Sequence, residues 1–418
     1  MNNFQTNIPN MANVVNLGQT AMTHQNLLIQ PQMSQNLMVN KRQQSSLSEP
    51  PEEERVTEQQ VLESEEYFES GKLFLSEKKY KDACKMFTKS LQANKTNYDA
   101  LFYRAVTNLD QELPKKAIAD LEELMRICSD YRKTMFIVLS IAYRRVNDYL
   151  SAIRALTKAI QRFPVYLEAY IARGQIYIFQ KKWDKALSDF NTVLRYSPNN
   201  GMGYLGHGDS LKGLGRIEEA IKSYSRVIEV EPQSISQGLM KRGLLLLELK
   251  KNEDALKDFN KLVEMAEDKS TDFQSVSLSK AYFYKAKALK KMNNLNDSVL
   301  YFEQVLRLVE DNFLSGSALY EIAKIKIQQK DFYEAHYNLQ RSQHLNLKQK
   351  KLANYKLFTE GVIFLMKRKT KTGVKLLTQV IDRMKPIQNA SPTQQKQLPS
   401  ADYADKNKKD LEHNASTG

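Results

Sequence analysis

Residues 167–200 read LEAYIARGQIYIFQKKWDKALSDFNTVLRYSPNN. Numbered from Leu167 as position 1, Tyr170 is position 4, Gly174 position 8, Tyr177 position 11, Ala186 position 20, Phe190 position 24 and Pro198 position 32. Tyr170, Gly174 and Tyr177 recur in steps of four and three, which places them on one face of a first helix, where the rings can pack against Leu187, Phe190 and Leu194 of a second. Gly174 and Ala186 are small, and two antiparallel helices approach closely only where no bulky side chain keeps them apart. Pro198 lacks an amide donor and ends the second helix. A single hairpin of this kind leaves apolar faces uncovered, so the pattern predicts neighbours built alike.

The neighbours are present. Residues 201–234 place Tyr204, Gly208, Leu211, Ala220, Tyr224 and Pro232 in the matching slots, and residues 133–166 place Phe136, Tyr143, Ala152, Leu156, Ala159 and Pro164 there. Further copies begin at residues 64, 98, 236, 279, 316 and 354, the last three weaker, which makes nine units. This spacing resembles the tetratricopeptide repeat, and the resemblance covers residues 64–387, about three quarters of the chain. It implies an all-α fold, an α-solenoid in which antiparallel helix pairs stack as a right-handed superhelix. The expected organisation is a regular array of six repeats over 64–269, a loop at 270–278 and a basic array of three repeats over 279–387. Smaller insertions at 313–315 and 350–353 should loosen the stacking.

Composition agrees with a helical chain. Apolar residues make up 42% of the 418, enough for a large core, while 15 Gly and 11 Pro leave little material for a loop-rich β fold. No run of about 18 apolar residues offers a membrane span, and no basic segment followed by an apolar one opens the chain, so a cytoplasmic protein is expected. Cys84 and Cys128 are too few for a disulfide framework. The first 40 residues contain no charged side chain and are rich in Asn, Gln and Met. Residues 1–60 are therefore expected to be a disordered tail and linker, and 388–418 a second tail.

The resemblance also implies a non-catalytic scaffold that holds a protein partner, a peptide or an amphipathic helix, in a concave groove lined by the first helices. One subfamily grips acidic C-terminal peptides with lysine at position 5 and asparagine at position 9. Here position 5 holds Phe68, Phe102, Ile137, Ile171, Leu205, Met240, Phe283, Tyr320 and Phe358. No lysine is among them, position 9 offers no asparagine, and an asparagine ladder at position 6 is also missing. Two readings of the apolar stripe stand side by side: a groove that accepts a partner's amphipathic helix, or a seam that packs the first helices of adjacent repeats.

Charge gives a second lead. The net charge is +14, and residues 278–386 hold 21 basic against 9 acidic side chains. Lys280, Lys287, Lys290 and Lys291 take positions 2, 9, 12 and 13 of one unit and Lys324 position 9 of the next, all facing the expected groove. Lys367, Arg368, Lys369 and Lys371 crowd an inter-helix turn. Such a basic patch suits acidic protein tails, tubulin's among them, or a nucleic-acid backbone. Gly201, Gly203 and Gly206 spell the dinucleotide-binding pattern, but without the preceding strand that pattern needs. His24, His207, His336, His344 and His413 are scattered with no metal-ligand spacing. The expected function is a scaffold or adaptor in a multiprotein assembly, in the cytoplasm, with a cilium or the cytoskeleton as the candidate place. No enzyme, metal or cofactor is implied. The alternative is a nucleic-acid-associated factor that uses the basic end.

Overall fold

A computed structural model describes residues 56–128, 131–268, 277–308, 312–345 and 350–384. The expected tails, apart from 56–60, and most of the 270–278 loop lie outside these residues. Eighteen α-helices and one 3-10 turn, Pro232–Ser234, make up the described fold, which contains no strand. In chain order the helices are α1 (Glu58–Ser76), α2 (Tyr80–Ala93), α3 (Tyr98–Asp110), α4 (Pro114–Ile127), α5 (Thr134–Arg145), α6 (Tyr149–Arg162), α7 (Leu167–Phe179), α8 (Trp183–Tyr196) and α9 (Gly201–Gly213). Then follow α10 (Ile217–Val230), α11 (Ile235–Glu248), α12 (Asn252–Glu267), α13 (Leu278–Lys291), α14 (Leu295–Leu308), α15 (Asn312–Gln328), α16 (Phe332–His344), α17 (Lys350–Met366) and α18 (Thr370–Met384). Two compact units are formed, Met1–Ala220 and Ile221–Gly418. Among the described residues no helix is long and apolar enough to cross a membrane.

Helix starts follow local chemistry. The side chains of Asn97, Asp148, Asn200 and Asp331 accept hydrogen bonds from the amides three residues on, which satisfies donors that the first helical turn leaves free. Pro114 opens α4 at the position where its missing amide costs nothing. The turns between paired helices repeat one conformation. Lys78, Glu112, Asn147, Lys181, Gly215, Lys250, Asn293, Lys330 and Arg368 all have positive φ. The residue after each donates its amide to a carbonyl five positions back, as in Lys182 to Tyr177 at 2.8 Å and Arg216 to Leu211 at 2.9 Å. This left-handed cap reverses the chain within three residues. Successive turn residues lie 34 or 35 positions apart from Lys78 to Lys250, then 43, 37 and 38 apart.

Only one of these nine residues is a glycine, although the left-handed region costs a residue with a Cβ about 1 kcal/mol or more. We expect Lys181→Gly to raise the unfolding free energy by about 0.5–1 kcal/mol, part of the gain being lost to the freer unfolded chain. Urea denaturation of the two proteins measures it, with Lys185→Gly, inside α8, expected to lower stability instead.

The wider spacings show where the extra residues go. α15 and α17 are each 17 residues long, against 13 for α7 and α9. The insertions at 313–315 and 350–353, expected to loosen the stacking, lie within helices, which they lengthen at the amino end. The residue types permit this, since neither stretch contains proline or an uncapped glycine.

Packing inside each unit follows the small-against-large logic of the sequence. A Cβ on Gly174 would sit 2.8 Å from the Phe190 ring, and one on Gly206 would fall against the other side of that ring. Phe190 is fully buried, as are Ala186 and Val193 of the same helix. In the first unit a continuous apolar cluster runs from Leu101 to Ile176. In the second, Leu239, Phe259 and Leu262 form one cluster, Phe283, Phe302 and Ile322 another, and Phe358, Val362 and Leu377 a third.

A polar clamp recurs beside these cores. Arg173 donates through two nitrogens to Asp189 at 2.9 and 2.7 Å and through a third to Thr157 at 3.0 Å. Arg104 holds Asp120 and Thr88 in the same way, and Arg242 holds Asp258 and Ser225. Each arginine ties the first helix of a pair to its own second helix and to the second helix before it. Bidentate pairing of this type fixes orientation as well as distance. In the next pair Lys285 and Tyr301 hold the corresponding slots, with the ammonium 4.1 Å from the ring centroid, and the Oδ1 of Asn260 is buried without a partner.

Candidate protein-binding face

The apolar residues at position 5 are not a free surface. Phe102, Leu205, Phe283, Tyr320 and Phe358 are buried, and Phe68, Ile137, Ile171 and Met240 are half-buried. Phe68 packs against the rings of Phe87 and Tyr103, Ile137 lies on the core of its unit, and Phe358 meets Phe332 edge-on. Phe68 thus joins α1 to α2 and α3, and Phe358 joins α17 to α16.

The basic residues separate into two groups. Lys367, Arg368, Lys369 and Lys371 are exposed around the turn between α17 and α18, with Lys367 lying 5.7 Å from the Tyr333 ring centroid. Lys280 is exposed in the first turn of α13. Lys287, Lys290 and Lys291 come from the last two turns of α13, and Lys324 from α15, and these four are brought together.

At their centre is Glu321. Lys290 Nζ donates to its Oε2 at 2.7 Å, and Lys324 Nζ lies 3.3 Å from both carboxylate oxygens. Side-chain exposures of 19% for Lys290, 17% for Glu321 and 32% for Lys324 mark a half-desolvated cluster, not a solvated surface. Lys287 stands 5.6 Å from the ring centroids of both Phe283 and Tyr284, a cation–π geometry. Lys291 donates to the carbonyl of Leu247 at 3.0 Å. Burial alone would raise the Glu321 carboxyl, but Lys290, Lys324 and Lys287 outweigh it and hold its pKa below the ordinary value. Burial lowers the ammonium pKa of Lys287 and Lys290 despite Glu321, with Lys324 adding to the effect on both. One carboxylate thus serves more positive charge than it can neutralise. Tyr320 and Tyr355, 5.7 Å apart in an edge-on pair, close one side, and burial raises the pKa of both phenols.

Helical spacing placed the lysines and, at position 5, Tyr320, but did not join them to Glu321, Tyr284 or Tyr355. The available signal was a lone acid at position 6 among lysines at positions 9 and 12 of adjoining units.

The remaining candidates have structural explanations. Gly203 and Gly206 bring α9 against Val193, Leu194 and Phe190, and Asn200 caps the amide of Gly203, so the glycine pattern serves helix packing. His207 is half-buried, with burial lowering its pKa and Arg216 adding to that. His336 hydrogen-bonds to Thr359 at 3.1 Å. His24 and His413 lie outside the described residues. Among the described residues no group of three His, Cys, Asp or Glu side chains could hold a metal ion. Cys84 and Cys128 are free thiols, and burial pushes the Cys84 thiol up.

Comparison with known proteins gives the same class. Two family models described as tetratricopeptide repeat match residues 167–200 and 205–270. The chain is similar to the DnaJ homolog subfamily C member 7 homolog of Schizosaccharomyces pombe, 22% identical over 59% of this chain and 56% of that protein. It is also similar to the small glutamine-rich tetratricopeptide repeat-containing protein 2 of Saccharomyces cerevisiae, 28% identical over 22% of this chain and 27% of the relative. Among solved structures, a tetratricopeptide repeat protein from Parabacteroides merdae matches with a TM-score of 0.47 at 15% identity, over 72% of this chain and 99% of that one. The chain spans about half the length, or less, of the first curated relatives it matches. Family models that fall on hairpins whose turns, prolines and small residues carry the repeat identify this chain as a tetratricopeptide-repeat protein with an α-solenoid fold.

Proposed function

We propose that this protein is a non-catalytic scaffold that binds an acidic segment of a partner protein at the basic, tyrosine-lined cluster of α13 and α15. The observation that carries this reading is the gathering of Lys287, Lys290 and Lys324 around the single carboxylate of Glu321. Half-buried ammoniums in excess of their internal partner attract anions more strongly than solvated lysines do, because less water competes. Acidic tails such as those of tubulin are one instance of that chemistry. The position-5 residues support the cluster from beneath by fixing the helices, and the absence of lysine there sets this mode of binding apart from the terminal-carboxylate clamp. The relatives named as DnaJ homologs agree with a role among protein partners and do not select one.

The face is a poor platform for single-stranded nucleic acid, which needs free ring faces for base stacking. Here Tyr284 meets Phe283 edge-on at 5.4 Å and lies stacked on Phe259 at 5.9 Å, while Tyr320 meets Tyr355. Calorimetric titration with a short Glu-rich peptide tests the proposal. Lys287→Glu combined with Lys324→Glu is expected to weaken binding about tenfold or more, equivalent to about 1.4 kcal/mol, with helicity retained. Unchanged peptide affinity in that variant, or tighter binding of an RNA oligonucleotide than of the peptide at physiological salt, overturns it.

A further inference from the structure

Charge counting at the cluster narrows the partner's chemistry. Lys287, Lys290 and Lys324 supply three positive charges, and Glu321 removes one. Lys291, whose ammonium is committed to the Leu247 carbonyl, adds a further charge at the margin. Two positive charges are thus left over beside Tyr284, Tyr320 and Tyr355. A single partner carboxylate would neutralise half of that remainder. A phosphomonoester carries about −1.5 to −2 at pH 7 and presents three acceptor oxygens, which matches both the residual charge and the number of ammoniums. Lysine is a point-charge donor with rotatable hydrogens, suited to phosphate without the planar fork that carboxylates favour in arginine.

Resting on the reading of this face as the partner-binding site, we infer that Lys287, Lys290 and Lys324 form a pocket for a phosphorylated serine or threonine in the partner's acidic segment. Glu321 holds the ammoniums together in the unliganded protein. It keeps Lys290 and Lys324 converged, at 2.7 and 3.3 Å, where they would otherwise repel one another. Lys287 is the specificity-bearing member. It faces the rings of Phe283 and Tyr284, makes no ion pair among the described residues, and is therefore the ammonium for which a second anion brings the largest gain.

Fluorescence anisotropy with one labelled Glu-containing peptide in three forms, bearing phosphoserine, aspartate or serine at its centre, tests this on the full chain. The phosphorylated form is expected to bind about tenfold tighter than the aspartate form. Lys287→Gln should weaken the phosphorylated form more than the aspartate form and so abolish that difference, and Lys375→Gln, on exposed α18, should change neither. Equal affinity of the phosphorylated and aspartate peptides overturns the phosphate assignment and leaves the acidic-segment reading standing. Failure of all three peptides to bind overturns both. A phosphate preference that persists in Lys287→Gln places the anion elsewhere and also overturns the assignment.

Discussion

Arg173→Met is expected to destabilise the first unit by about 3–5 kcal/mol, the cost of stranding a buried carboxylate without its partner. Asp189 has a side chain only 6% exposed, and Arg173 only 16%. Burial already pushes the Asp189 carboxyl above its ordinary value, with the guanidinium of Arg173 opposing it. Without that guanidinium the carboxyl takes up a proton more readily. A carboxyl whose folded pKa is raised destabilises the fold at pH above that pKa, and the loss recedes as pH falls through it. Urea denaturation of the variant should therefore show a larger deficit at pH 8 than at pH 5. Adding Asp189→Leu should recover most of the loss, because an apolar pair of similar volume can replace a buried ion pair at little cost. A single variant as stable as the parent at pH 8 would mean that the recurring arginine clamp does not tie the helices together.

The second large effect concerns the ring between α7 and α9. Phe190→Ala should cost about 3–5 kcal/mol through lost burial and the cavity left behind. Gly206→Ala should cost about 1–3 kcal/mol, because the new methyl group meets that ring and the core is close-packed. The two effects should not add. With the ring gone, the methyl group has space to occupy, so Gly206→Ala in the Phe190→Ala background should be neutral or stabilising. A double-mutant cycle by urea denaturation reads the coupling directly. Additive losses would show that α9 does not pack on Phe190 as described.

The fold was legible because its rules are local. Gly174, Ala186, Phe190 and Pro198 lie within one thirty-four-residue stretch, and each acts on a helix next to it in the chain. The same register locates the nine left-handed turn residues, although eight of them are not glycine and, of those, only Asn147 and Asn293 are of a type that favours that conformation. The clamps were harder to see. Arg104, Arg173 and Arg242 recur every 69 residues, two repeats apart, so comparison of adjacent repeats does not reveal them. The candidate site was legible in part for a related reason. Helical spacing put Lys287, Lys290 and Lys291 at the end of one helix, but Glu321 comes from 31 residues beyond Lys290 and meets it only through the stacking of α13 on α15. The position-5 residues show the converse, since spacing gave their common face and only packing shows that neighbouring helices cover it.

On the proposed reading, partner binding falls to what the first helices leave uncovered. In the second unit that remainder is a set of ammoniums sharing one acid. Amine-reactive labelling of the 418-residue chain, read by mass spectrometry with and without saturating Glu-rich peptide, tests this most directly. The account predicts that the peptide protects Lys287, Lys290 and Lys324 while labelling of Lys250 and Lys375 is unchanged. Protection of Lys250 or Lys375 with undiminished labelling of the three clustered lysines would contradict it.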